Sequence, residues 1–202
     1  MTFTITKYSL VECGLQTFLW DFSRLSGDKK RVMDQNALWS IFRRIDKNGS
    51  GNISADELQS CLSNGLGTMF NIRTVQLMMS MFDSDMNGTI SFDEFGKLFK
   101  YVNDWQNCFR QFDRDNSGSI DRQELSTALM RFGYNLSPQF INFMVSRFGR
   151  NRRESISFDD FIYACVCLQI LTGAFRRYDY RMIGQAQFSF EQFLAAAFSV
   201  VI

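Results

Sequence analysis

Residues 113–124 read DRDNSGSIDRQE. Oxygen-bearing side chains stand at positions 1, 3 and 5 of this stretch (Asp113, Asp115, Ser117), with glycine at 6 (Gly118), isoleucine at 8 (Ile120) and glutamate at 12 (Glu124). The spacing suits a hard cation. Calcium takes six to eight oxygen ligands at about 2.3–2.6 Å, and a twelve-residue loop supplies them from positions 1, 3, 5, 7, 9 and 12. A glycine at position 6 permits the sharp turn that wraps the chain around the ion. The backbone carbonyl of Ser119 would serve at position 7, Asp121 would act through a water, and Glu124 would close the sphere with both oxygens.

The same pattern recurs at 46–57 (DKNGSGNISADE) and at 83–94 (DSDMNGTISFDE). The first loop offers Asp46, Asn48, Ser50, the carbonyl of Asn52, Ser54 through water, and Glu57. The second offers Asp83, Asp85, Asn87, the carbonyl of Thr89, Ser91 and Glu94. Ordinary acidic turns do not repeat in this register between helix-like segments, so the three stretches read as EF-hand calcium loops. Leu38, Ile41, Phe42 and Ile45 recur at helical spacing before the first loop, and Leu58 and Leu62 follow it. Leu77, Met78, Met81 and Phe82 lead into the second.

Two further loops keep the register and lose the ligands. Ile156 falls at position 8 of a fourth, which places Gly149 at position 1, Arg153 at position 5 and Asp160 at position 12. A fifth starts at Asp179, with Arg181 and Ile183 at positions 3 and 5, and Glu191 one place too late. Both are expected to be structural and empty of calcium. The five starts are separated by 37, 30, 36 and 30 residues. The short gaps leave no room for two helices and a linker, so 92–112 and 158–178 are expected to be long helices, each shared by two hands. The expected fold class is all-α, with five EF-hands and short antiparallel ribbons between loops. Ile53 should face Ile90, and Ile120 should face Ile156. The fifth ribbon, near Ala186, has no partner left. An unpaired edge beside apolar surface (Phe188, Phe190, Phe193, Leu194, Phe198 and the tail to Ile202) predicts a dimer through the fifth hand, homo- or heterodimeric.

The totals narrow the function classes. The chain has 202 residues, a formal net charge of +1 and no histidine. Near-neutral charge gives no electrostatic case for nucleic acid. The lack of histidine removes histidine general-base chemistry, the triads that need it and histidine-ligated zinc. The carboxylates that cluster are already assigned to calcium, so catalysis is the least favoured reading. Five cysteines, none in a CxxC pair, point to reduced thiols. No secretory signal is read at the N-terminus. The apolar runs near 162–167 and 193–202 fall short of the ~20 residues that span a bilayer. The expectation is a soluble, cytoplasmic protein.

Residues 1–33 form a segment of their own ahead of a domain over 34–202. Val11, Leu15, Phe18, Phe22 and Leu25 follow a three-four spacing that predicts an amphipathic helix over about 8–25. Packing on the body is favoured over binding a membrane or partner.

Four stretches carry a family resemblance. They are 101–134 (YVNDWQNCFRQFDRDNSGSIDRQELSTALMRFGY), 133–140 (GYNLSPQF), 157–169 (SFDDFIYACVCLQ) and 175–179 (FRRYD). The chain over 34–202 resembles the penta-EF-hand family, its programmed-cell-death-6 and peflin branches most. The resemblance implies a calcium-dependent apolar pocket that recruits proline-rich or apolar segments of membrane-trafficking and repair proteins, with peripheral membrane association as calcium rises. Phe132, Tyr134 and Phe190 keep aromatics at its pocket positions. Gly67 and Asn135 depart from the programmed-cell-death-6 pattern, which has tryptophan and arginine there. The resemblance also implies that the first and third hands are the principal calcium sites.

Charge counting ranks the hands differently. The first loop brings two carboxylates, Asp46 and Glu57. The second brings Asp83, Asp85 and Glu94, and the third Asp113, Asp115 and Glu124 with Asp121 behind them. Affinity follows ligand charge and rigidity, so charge alone ranks the third loop first and the first loop last. The leading expectation is a calcium sensor and adaptor. A passive calcium buffer and a regulatory subunit like the small subunit of calpain remain as alternatives.

Overall fold

The computed structural model describes residues 34–149 and 154–198. The predicted helix over 8–25, Arg153 of the fourth loop and the last residues of the apolar tail lie outside them. The chain divides into two compact units, and the described residues are 34–149 with 154–163 in the first and 164–198 in the second.

In the first unit, α1 (Gln35–Ile45), β1 (Asn52–Ile53) and α2 (Ala55–Cys61) build the first hand. The second consists of α3 (Ile72–Phe82), β2 (Ile90–Ser91) and the start of α4 (Phe92–Phe112). Helix α4 also enters the third hand, completed by β3 (Ser119–Ile120) and α5 (Arg122–Arg131). The fourth has α6 (Pro138–Phe148), β4 (Ile156–Ser157) and the start of α7 (Phe158–Arg176), which runs on into the second unit. There, α8 (Phe190–Phe198) follows the fifth loop.

Local signals set the boundaries. Asp34, Asn71 and Ser137 cap α1, α3 and α6 by accepting backbone N–H groups from Asn36, Arg73 and Phe140. Pro138 occupies the first turn of α6, where its missing N–H costs nothing. Helices α1, α3 and α4 each stop at the first ligand of a loop, Asp46, Asp83 and Asp113.

The ribbons pair as the spacing predicts. Ile53 faces Ile90 and Ile120 faces Ile156, all four fully buried. The shared helix 92–112 forms with the expected ends, and its counterpart from 158 ends at Arg176, two residues early. No strand forms near Ala186 among the described residues.

The core of the first unit is aromatic. Phe42 packs edge-on against Phe92 and Phe95, and Trp105 against Phe161. In α4 the buried side chains Phe95, Leu98, Tyr101, Trp105, Cys108, Phe109 and Phe112 follow the helical period. Helix α7 carries the apolar stretch beyond the run read at 162–167, because Leu168, Ile170 and Leu171 extend it. An 18-residue window of this 19-residue helix reaches a mean hydropathy of 1.4, enough to cross a membrane by length and composition. Half of that window is buried inside the protein, as in a core helix, and its first turn holds buried Asp159 and Asp160.

Candidate metal centres

Each of the three ligand-complete loops is folded by its own first aspartate. Asp46 accepts the N–H groups of Ser50 and Gly51 on its two oxygens, at 3.0 and 2.9 Å. Asp83 does the same for Asn87 and Gly88 at 3.1 and 2.8 Å, and Asp113 for Ser117 and Gly118 at 2.9 and 3.0 Å. The chain turns left-handed at position 4 (Gly49, Met86, Asn116) and again at position 6 (Gly51, Gly88, Gly118). Non-glycine residues rarely adopt that conformation, so Met86 and Asn116 are held there by the hydrogen-bonded loop around them.

The glutamate at position 12 closes each loop from the other side. Glu57 Oε1 accepts the N–H of Lys47 at 3.1 Å, Glu94 Oε1 that of Ser84 at 2.7 Å, and Glu124 Oε1 that of Arg114 at 2.8 Å. Their second oxygens accept the N–H groups at position 9, from Ser54, Ser91 and Asp121, at 3.0–3.1 Å. Position 9 also starts a helix. Asp121 Oδ1 accepts the N–H groups of Gln123 and Glu124, so the side chain read as acting through water caps α5.

Positions 5 and 7 lie close together in each loop. Ser50 Oγ lies 2.9 Å from the carbonyl of Asn52, and Ser117 Oγ lies 2.9 Å from that of Ser119. In the second loop Asn87 Oδ1 accepts from Thr89, and its amide donates to Asp85. The side chains at position 3 (Asn48, Asp85, Asp115) accept the N–H at position 5.

Asp83, Asp85 and Glu94 present carboxylate oxygens that all lie within 4.8 Å of one another, and so do Asp113, Asp115 and Glu124. Ligand atoms bonded to one ion at about 2.4 Å cannot stand much further apart than twice that distance. Both clusters therefore fit a single calcium ion, with hard oxygen donors only. The first loop has the same backbone with two carboxylates.

Protonation is tuned to the same end. Burial pushes the Glu94 carboxyl up, but hydrogen bonds from the Ser84 hydroxyl, the Ser91 and Ser84 N–H groups and the Ser91 hydroxyl outweigh it, bringing the group down to about 2. Glu57 is also lowered, by the N–H and hydroxyl of Ser54. Asp115 is lowered by Ser117.

The fifth loop keeps the backbone of the other three without their ligands. Asp179 accepts the N–H groups of Ile183 and Gly184 at 3.1 and 2.8 Å, and Met182 and Gly184 are left-handed at positions 4 and 6. Its positions 3 and 5 remain Arg181 and Ile183, whose side chains offer no oxygen. In the fourth loop Asp160, at position 12, is buried within hydrogen-bonding distance of Ser157 Oγ. Of the aromatics placed at a pocket by resemblance, Phe132 packs edge-on to Phe112 in the first unit, and Phe190 is exposed in the second.

Two contributors escaped the sequence reading. Ser84, at position 2 of its loop, holds Glu94; a small hydroxyl residue there was the available signal. Gly118 lies against Gly65 of the 62–71 connection, and a Cβ on Gly118 would come within 3.1 Å of the Gly65 carbonyl oxygen. No local pattern announces that contact.

Comparison with known proteins agrees with this geometry. The EF-hand domain pair family matches residues 35–100 and again 102–166. A sorcin from Schistosoma japonicum is 68% identical over 171 residues, covering 85% of this chain and 99% of that protein. Human peflin is 43% identical over 157 residues, covering 77% of this chain and 55% of that protein. The solved structure of a homolog of programmed cell death 6 protein from Leishmania major Friedlin superposes with a TM-score of 0.72 at 33% identity, covering 81% of this chain and 93% of that one. Loops, ribbons, shared helices and relatives together make this chain a calcium-binding member of the penta-EF-hand family, of the sorcin, peflin and programmed-cell-death-6 kind.

Proposed function

We propose that the protein is a calcium sensor and adaptor, rather than a buffer or an enzyme. The observation that carries this reading is the construction of α4. One helix of 21 residues holds Glu94 in its first turn and is followed directly by Asp113, so it belongs to two calcium loops at once. An ion that draws in Glu94 or Asp113 pulls on a helix whose inner face is the core of the unit. A buffer needs loops only; a sensor needs loops joined to an element that moves.

The target surface is apolar in this reading. Phe140 and Phe143 on α6 are 42% and 56% exposed, and Met130 on α5 is 58% exposed. Apolar or proline-rich segments of membrane-trafficking proteins suit such a surface, and with them a cytoplasmic protein recruited to membranes as calcium rises. The dimer is assigned to the fifth hand. Helix α8 leaves Phe190, Phe193 and Phe198 at 75%, 58% and 65% exposure, and none of its residues is buried. Pairing with a second fifth hand would cover that face.

Sedimentation and apolar-dye fluorescence, with calcium and with chelator, test the reading together. A constant dimer that binds dye only with calcium supports the sensor. A dimer blind to calcium would return the protein to the buffer class, and preference for a different penta-EF-hand chain would make it a regulatory subunit.

A further inference from the structure

The fourth hand binds no calcium in our reading, yet it holds the helix that enters the second. Asp159, at position 11 of the fourth loop, is fully buried. Its Oδ2 accepts the backbone N–H of Asn71 at 2.7 Å, at the N-terminus of α3. Its Oδ1 accepts the Ser157 hydroxyl at 2.6 Å, and its backbone carbonyl accepts the buried Thr74 hydroxyl at 3.3 Å. Beside them Phe70 packs edge-on against Phe158, with ring centroids 5.5 Å apart. A carboxylate at a helix N-terminus satisfies an orphan N–H and complements the helix dipole, and away from water both effects are strong. The connection that leads into α3 is also seated, through Gly65, on Gly118 of the third loop.

We propose that Asp159 is a latch that fixes α3, so that calcium entering the second hand must act through α4 on the third. The argument is mechanical. A hand that opens changes the angle between its two helices, and either helix can take up the change. Helix α3 is fastened at its start by Asp159 and Thr74, far from the ligand end at Asp83. Helix α4 is then the partner left to shift, and Asp113 follows its last residue. Freed from Asp159, α3 could swing instead, and the strain would not reach the third loop. The inference rests on the second and third loops both binding calcium.

Calcium titration of the full chain tests it, with the Gly88 and Gly118 amide resonances reporting the two loops separately. All variants carry Glu57→Gln to silence the first loop. The coupling factor is the third-loop affinity with the second loop intact, divided by that with Glu94→Gln. The expected factor is about 5 or more either way in the otherwise native chain. It should fall toward 1 in Asp159→Ala and persist in Asp159→Asn, whose amide oxygen still accepts the Asn71 N–H. A merely structural role would lower the melting temperature of Asp159→Ala and leave the factor intact. An unchanged factor in Asp159→Ala, or a native factor of 1, would overturn the latch. Should Asp159→Ala not fold, Asp159→Ser keeps a polar group but is too short to reach the Asn71 N–H as the carboxylate does, and an unchanged factor there overturns the proposal equally. A single calcium equivalent in the Glu57→Gln chain would instead overturn the ligand assignment beneath it.

Discussion

The hydroxyl of Ser84 donates to Glu94 Oε1 at 2.6 Å, across ten residues of the second calcium loop. The Ser84 N–H donates to the same oxygen at 2.7 Å. Position 2 of the loop thus holds the carboxylate of position 12 where it can meet the ion. Glu94→Ala should remove one calcium equivalent in isothermal titration. Ser84→Ala should keep the stoichiometry and weaken the second site severalfold, because the carboxylate loses one of its restraints. An unchanged equivalent count in Glu94→Ala would remove the second hand from the calcium sites.

The depressed Glu94 carboxyl carries a pH signature in the calcium-free protein. Its folded value, about 2, lies below the ordinary 4.5, so the group favours the folded state while ionised. That contribution is complete above pH 4.5 and is lost as pH falls through 2, with a total on the order of 3 kcal/mol. Denaturant unfolding in chelator should show stability declining over this window. Glu94→Gln should flatten the decline; an equally steep curve in that variant would assign it to other carboxylates.

Gly88 and Gly118 occupy the same loop position with φ of 79° and 77°, but in different surroundings. A Cβ on Gly88 meets nothing within 4 Å, whereas one on Gly118 crowds the Gly65 carbonyl oxygen at 3.1 Å and Leu66 Cδ2 at 3.2 Å. Gly88→Ala should cost the left-handed strain alone, about 1–2 kcal/mol. Gly118→Ala should cost measurably more and also disturb the 62–71 connection. Equal melting temperatures for the two variants would mean that the contact gives way freely.

Carboxylate count should order the affinities as third, then second, then first. Asn48→Asp would bring the first loop to three, matching the number clustered in each of the other two. Its affinity should rise severalfold by direct titration. A first loop that is already the tightest would show that rigidity, not charge, dominates here.

Thiol reactivity should separate the cysteines of the described residues. Cys61 is exposed, while Cys108, Cys165 and Cys167 are buried, and burial pushes the Cys108 thiol far above its usual range. Alkylation of the native protein at pH 8, read by peptide mass, should label Cys61 quickly and Cys108 only on unfolding. Rapid labelling of Cys108 would mean that α4 opens readily.

The sequence by itself determined most of what has a local cause, the hold of Ser84 on Glu94 excepted. Ligand spacing within twelve residues marked the loops, and the distances between loops required a helix over 92–112 serving two hands. Isoleucine at position 8 predicted both ribbons, because loop pairing fixes the register at that point. The ligand-poor fifth loop was equally legible through Arg181 and Ile183. Only the tertiary structure decided what depends on residues far apart in the chain. Asp159 reaches back 88 positions to cap α3 at Asn71, and Gly118 gives up its side-chain space to Gly65. Neither contact leaves a periodic trace, because a single buried hydrogen bond or backbone approach constrains one residue rather than a pattern. The fifth loop shows the boundary between the two. Its sequence said which ligands were lost, and the fold showed that Asp179 still shapes the turn around them. A loop backbone is stabilised by its own N–H groups, with or without an ion.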